Sequence, residues 1–274
     1  MSSYIMSNKT VLISGGSRGI GLSIAKRLAA DGANVVLLAK TAEPHPKLPG
    51  TVYTAAEEIR EAGGQALPVV GDVRVEDDVQ AAVKAANATF GGIDIVVNNA
   101  SAINLEAAEN IEMKRYDLMQ DVNARGTFLL TRSALPSLKA SSDPRILSLS
   151  PPLNLSPKWL GAAPAYMMAK YSMSLAALGI GAQANISATC LWPKTTIQTA
   201  AVQYALGGTT MYERSRTPEV YSDAAYAVLT AEPNKYAGQT VLCEDVLEDA
   251  GVTDFAKYSP GVDPADLEPD IFVD

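Results

Sequence analysis

Apolar residues fall in short solid blocks, and between the blocks they recur every three or four positions. Val11-Leu12-Ile13 forms a first block that runs into a glycine-rich turn. From Ile20 to Ala30 the period becomes helical, with Ile20, Ile24 and Leu28 on one face and Gly32 just past the end. Residues 34–39 (NVVLLA) are apolar at every position after Asn34, which predicts a strand covered on both faces. Residues 41–52 carry three prolines and Gly50 and read as a surface loop. Thr54 and Glu57 have the spacing of a capping box for a helix to Ala62, closed by Gly63-Gly64. The same alternation continues: strand Ala66–Val70, helix Asp77–Thr89, strand Ile93–Val97, then a long helix capped by Asn110 and running to about Leu138. Strand Ile146–Leu149, helix Tyr166–Gly179, strand Ile186–Trp192, helix Ser222–Thr230 and strand Thr240–Cys243 complete it.

A βα alternation of this kind predicts an α/β protein: a single Rossmann-type doubly wound parallel sheet of about seven strands, with right-handed crossovers and helices on both faces. There is no internal repeat, low-complexity stretch or mid-chain linker. One domain over residues 1–274 is therefore expected, with an acidic, proline-bearing tail (about 246–274, most clearly from Tyr258) at its periphery.

Composition narrows the function. The chain has 274 residues and a net charge of −8, with 47% hydrophobic and 19% charged residues, as in an ordered, soluble protein. The acidic balance argues against nucleic-acid or anionic-membrane partners. No apolar run reaches the ~18 residues of a membrane span. The start, Met1 to Thr10, does not read as a secretory signal, and Ile271-Phe272-Val273-Asp274 matches no address motif. Cys190 and Cys243 are expected as buried free thiols. His45, the only histidine, sits between Pro44 and Pro46, which disfavours both a Ser-His-Asp hydrolase and a His/Cys zinc site, so no metal is expected.

The first turn reads Ser14-Gly15-Gly16-Ser17-Arg18-Gly19-Ile20-Gly21 between a strand and a helix. Glycines at 15, 19 and 21 let backbone approach a pyrophosphate, while the helix start offers unpaired N–H groups to it. This predicts dinucleotide binding by the turn, including Ser17, Arg18 and Ile20. An NAD site places a carboxylate at the end of the second strand. Here that place holds Ala39, Lys40 and Thr41, and Arg18 adds a second cation, so NADP(H) is the expected cofactor.

Gly15-x-x-x-Gly19-x-Gly21, Asn98-Asn99-Ala100, Asn123 and Tyr166-x-x-x-Lys170 follow one another in order, and over about residues 8–245 the chain resembles the short-chain dehydrogenases/reductases. Segments 39–42 (AKTA), 46–51 (PKLPGT), 150–154 (SPPLN) and 191–195 (LWPKT) narrow the resemblance to a branch whose longer members continue into a sterol-carrier domain, which is not expected in these residues. The resemblance implies that Asp72 and Val73 flank the adenine, that Asn98 fixes the fourth strand and touches the cofactor, and that Pro193 and Thr199 line the nicotinamide end. It implies that Lys170 holds the nicotinamide ribose and that Asn123 supports a water path to it. It also implies assembly as a homodimer or homotetramer through the two long central helices. A cytoplasmic location is expected, with peroxisome and mitochondrion left open. Two departures stand out: Ser101 replaces the usual Gly after Asn-Asn-Ala, and the Pro193-to-Thr199 spacing is one residue longer than the common pattern.

Tyr166 and Lys170, at i and i+4, share a helix face. An ammonium ~4 Å from a phenol favours the phenolate by roughly 4 kcal/mol at an effective dielectric of about 20, up to ~3 pH units. The family's substrate-binding Ser falls in register on Pro151, which has no N–H and no hydroxyl. Ser150 is one residue early; it is re-aimed, or Asn154 or Ser156 substitutes, or the oxyanion is less well held. The expected catalytic set is Tyr166, Lys170, Asn123 and Ser150. Residues 195–217 suit a substrate lid with Ile197, Val202, Tyr204, Leu206, Met211 and Tyr212, a hinge candidate at Gly207-Gly208, and walls from Trp192 and Trp159. Arg214 and Arg216 either meet an anionic end group or are solvated. The reading is an NADP(H)-dependent oxidoreductase that acts on an apolar carbonyl or alcohol with Tyr166 as general acid/base. The alternative is a catalytically weak or inactive NADP(H)-binding sensor or assembly subunit.

Overall fold

The structure, a computed structural model, describes residues 5–45 and 48–274, so Pro46 and Lys47 of the 46–51 segment lie outside the described residues. Strands β1 (Thr10–Ser14), β2 (Asn34–Ala39), β3 (Gln65–Val70), β4 (Ile95–Asn98), β5 (Arg145–Ser148), β6 (Ser187–Trp192) and β7 (Gln239–Leu242) form one parallel sheet. Its order is β3-β2-β1-β4-β5-β6-β7, so the winding reverses beside β1 and opens a crevice beyond the carboxyl ends of β1 and β4.

The helices are α1 (Gly19–Ala29), α2 (Val52–Glu61), α3 (Glu76–Phe90), α4 (Met113–Met119), α5 (Gly126–Ala140), α6 (Pro157–Ala162), α7 (Pro164–Ala184), α8 (Ala200–Ala205), α9 (Gly208–Glu213), α10 (Glu219–Thr230) and α11 (Cys243–Asp249). A π-helical turn, Gln120–Arg125, joins α4 to α5. Each apolar strand alternates within its solid block, as the pleat requires. Val11, Ile13, Val35 and Leu37 pack with α1, α2 and α10, whereas Leu12, Val36 and Leu38 pack with α3, α5 and α7. Among the described residues no helix is long and apolar enough to cross a membrane.

Several boundaries differ from expectation. The capping box of α2 is Thr51 with Thr54, not Thr54 with Glu57. Thr54 N–H donates to Thr51 Oγ1 at 3.1 Å and Thr51 N–H to Thr54 Oγ1 at 2.8 Å, which starts the helix at Val52. The long helix starts at Met113 behind Glu112, and Asn110 does not cap it. Cys243 opens α11 instead of ending β7; both cysteines are buried free thiols.

The tail differs most, since its final stretch is built into the molecule. Thr196 N–H donates to Glu268 O and Asp270 N–H to Lys194 O, both at 2.9 Å, so residues 268–270 run as a strap along 194–196. Phe272 is 1% exposed and sits at the centre of Trp159, Tyr166, Tyr171 and Trp192. Its φ of +71° is a conformation that a bulky residue adopts only when packing holds it there. A charged tail is inserted because its acids are satisfied: Arg214 pairs with Glu268 at 3.1 Å, and Trp159 Nε1 donates to Asp274 at 2.9 Å.

Candidate active site

The crevice holds a cleft of about 800 Å³ that reaches from Arg18, Lys40 and Asp72 at one end to Tyr166, Lys170, Trp192 and Asp270 at the other. At the first end the β1–α1 turn fits a pyrophosphate. Gly15 has φ +71°, and a Cβ there would lie 2.9 Å from Ala100 Cα. A Cβ on Gly21 would meet Asn99 Nδ2 at 2.5 Å. Asn99 uses that amide to donate to Ser14 O and Gly15 O, both at 2.9 Å, and so clamps the turn to the end of β4. No side chain caps α1, which leaves the N–H groups of its first turn for an anion.

Gly15, Ser17, Arg18, Gly19, Ile20, Lys40, Asp72, Val73, Pro193 and Thr199 all line the cleft, as does Lys170. Arg74 holds the Asp72 carboxyl below the usual range and grips it at 2.7 Å, leaving Lys40 and Arg18 as cations at the cleft edge. Asn98 lies under the cleft wall and does not face it. Its Nδ2 donates to Thr131 Oγ1 at 3.0 Å, and its carbonyl accepts Leu149 N–H at 2.9 Å. Asn99, which the spacing argument did not single out, lines the cleft in its place.

At the second end α7 presents Tyr166 and Lys170 together, 4% and 3% exposed. Lys170 Nζ donates to Leu149 O at 2.6 Å and lies 4.9 Å from the Trp192 ring centroid. The Phe272 ring stacks on Tyr166 at 6.2 Å and 24°. Asn123 is fully buried in the π-helical turn. It accepts Ala102 N–H at 2.7 Å and donates to Ala102 O at 3.0 Å, fixing the segment after β4 without itself lining the cleft.

Ser150 is not brought to the cleft. It is fully buried and its hydroxyl lies toward the Cys190 thiol behind the strand, while Ser174 Oγ donates to Pro151 O at 2.8 Å and anchors the next residue to α7. Asn154 and Ser156 also lie outside it; Asn154 Nδ2 donates to Asp274 at 2.7 Å. The hydroxyl that shares the cleft with the phenol is that of Ser101, which lowers the Tyr166 pKa slightly against the effect of burial and lies 3.5 Å from Ala102 O. Nor do the arginines face the cleft: Arg214 Nε donates to Asp266 O at 2.6 Å, and Arg216 NH1 donates to Phe255 O at 3.1 Å. Trp159 belongs to the tail cluster, so Trp192 is the cleft-facing tryptophan of the pair.

Electrostatics here run against the simple expectation of an acidified phenol. Burial pushes Tyr166 well above the ordinary phenol range, and the Asp270 carboxylate adds to that. Burial pulls Lys170 down to about 7, opposed by Asp270, and pushes Asp270 up to about 7, opposed by the Ile271 N–H and then by Lys170. Desolvation of both charged forms outweighs the attraction between ammonium and phenolate.

Comparison with known proteins agrees with this architecture. The family model for short chain dehydrogenases matches residues 9–203. The chain belongs to the short-chain dehydrogenase family. That family carries out oxidation and reduction with nicotinamide cofactors, and a cofactor of this type suits the glycine cradle. Hydroxysteroid dehydrogenase-like protein 2 of Danio rerio is 51% identical over 268 residues, covering 97% of this chain and 64% of that protein. The Homo sapiens protein of the same name is 48% identical over 269 residues, 97% of this chain and 63% of that one. The chain thus spans a little under two thirds of the curated relatives it matches. A crystal structure of a short chain dehydrogenase from Mycobacterium thermoresistibile superposes with a TM-score of 0.91 at 58% identity, covering 98% of this chain and 96% of that one.

Proposed function

We propose that the chain is one catalytic domain, an NADP(H)-dependent oxidoreductase that interconverts an apolar carbonyl compound and its alcohol. The observation that carries this is the joint placement of Tyr166, Lys170 and Ser101 on one wall of a cleft whose far end is a glycine cradle flanked by Lys40 and Arg18. When bound, the nicotinamide supplies or accepts the hydride at the carbonyl carbon.

Everything else falls to the chain. A protonated, buried Tyr166 suits reduction, where the phenol gives its proton to the substrate oxygen as negative charge develops there. Ser101 supplies the second hydroxyl donor in place of the lost Ser at Pro151. Lys170, one turn on from the phenol on the same helix and lining the same cleft, would hold the nicotinamide ribose. Asn123 keeps Ser101 in place through its two bonds to Ala102. Leu105, Ile103, Val202, Leu206 and Met211 keep the substrate end apolar. Lys40 and Arg18 favour a 2′-phosphate, hence NADP(H) over NAD(H). The buried free thiols of Cys190 and Cys243 suit a reducing, cytoplasmic setting.

The test is NADPH oxidation with medium-chain ketones and aldehydes. Wild type should turn over at least one of them, and Tyr166→Phe should bind NADPH with unchanged affinity and lose turnover. Binding without oxidation across the whole panel would favour a sensor or assembly subunit instead, a reading motivated by the retracted Ser150 and Pro151. For assembly, we propose a homodimer or homotetramer through the outer faces of α5 and α7, which expose Phe128, Met168 and Leu175; light scattering decides it.

A further inference from the structure

Lys170 is the sole charged residue of α7, so no carboxylate on its own helix balances it. Leu149 O and the Trp192 ring, its two contacts, carry no full charge. The carboxylate that shares the cleft wall with Lys170, Tyr166 and Trp192 comes from 100 residues further along the chain, on the strap that lines the cleft; it acts across the cleft and forms no ion pair with Lys170 within 4.0 Å. Asp270 is held by its N–H to Lys194 O at 2.9 Å and by Ile271 N–H donating to Oδ1 at 2.7 Å; Trp192 Nε1 donates to the next carbonyl, Ile271 O, at 2.9 Å. Its remaining exposure is to the cleft, which it lines together with Tyr166, Lys170, Trp192 and Pro193.

We propose that Asp270 is a positioning residue of the reaction: a counter-ion, delivered by the strap, that keeps the Lys170 ammonium charged at the chemical end of the cleft. This rests on the oxidoreductase reading above. The groups around Asp270 leave Lys170 as its cation. Glu244 of α11 is a second anion, but it accepts Lys194 N–H at 2.8 Å and faces Arg216 at 3.6 Å. Tyr221 of α10 and Cys243 are buried and neutral, and Cys190 of β6 stays a thiol for the same reason. Tyr166 feels Asp270 as a charge that opposes the phenolate. The strap therefore favours the same protonation state twice, ammonium at 170 and phenol at 166, which is the state that donates a proton to a carbonyl substrate.

Removing the charge should lower the titration of both groups, so the alkaline limit of reduction should move to lower pH. Asp270→Asn keeps the shape and the acceptor for Ile271 N–H. In this variant of the full chain, the alkaline limb of kcat/KM should fall by about one pH unit, and Asp270→Glu should restore it. A purely structural role would lower the melting temperature or the rate at every pH and leave the limb in place, which would overturn the proposal.

Lysine-labelled NMR gives a readout that needs no turnover. The Lys170 signal, assigned with Lys170→Arg, should titrate about one unit lower in Asp270→Asn than in wild type. The same coupling should raise the Asp270 carboxyl midpoint in Lys170→Met, which guards against a poorly folded Asp270 variant. Unchanged midpoints in both experiments sink the proposal. Shifted midpoints in a protein that reduces nothing would retain the counter-ion and refute the oxidoreductase reading.

Discussion

The two ends of the cleft are built in opposite ways. The nucleotide end comes from one local unit, β1, its turn and α1, so Gly15, Ser17, Arg18 and Gly19 reach the cleft by virtue of being neighbours. The chemical end is assembled from α7, the segment after β4, the end of β6 and a strap near residue 270, which meet only in the folded chain. A locally encoded end needs backbone freedom and is broken by adding a Cβ. The assembled end needs long-range packing and is broken by removing atoms.

The largest effect should come from Tyr166→Phe at the assembled end. Removing one hydroxyl should cut kcat by roughly 10²- to 10⁴-fold with no change in NADPH affinity, measured by stopped-flow and fluorescence titration. Phe272→Ala should follow. Emptying the aromatic cluster around Trp159, Tyr171 and Trp192 should cost about 3–5 kcal/mol in urea unfolding, and kcat should fall because Tyr166 loses its wall. Gly15→Ala tests the local end. Strain at a positive φ should cost about 1–2 kcal/mol, and NADPH affinity should drop while the Lys170 titration stays where it was. The smallest effect should be Lys40→Ala, a loss of about tenfold in NADPH affinity, or ~1.4 kcal/mol, with NADH affinity unchanged. Equal NADPH binding in both proteins would remove Lys40 from the 2′-phosphate.

What was legible in the sequence follows the same division. β2 was readable to the residue as 34–39, since an apolar block between polar neighbours has one sensible fate in a covered sheet. The turn at 14–21 was readable because its chemistry is contiguous. Thr51 as the cap of α2 was missed because Thr54 and Glu57 offered the same pattern three residues on, and only the bonds distinguish them. Ser101 carried a signal, as the departure from Gly, but its relation to Tyr166 depends on how Asn123 holds Ala102. Asp270 carried none. An Asp after a Pro in an acidic stretch looks solvated until the pairing of 268–270 with 194–196 draws it into the cleft wall, half-buried.

The pairing of the strap also sets an order of events during synthesis. Chains fold from the amino end as they emerge, and the nucleotide cradle is complete once β4 and Asn99 are available to close on the β1 turn. The wall behind Tyr166 must wait for Phe272. The glycine cradle is thus complete before the wall behind Tyr166, and the segment carrying residues 268–272 is the later-made part on which the proposed chemistry waits.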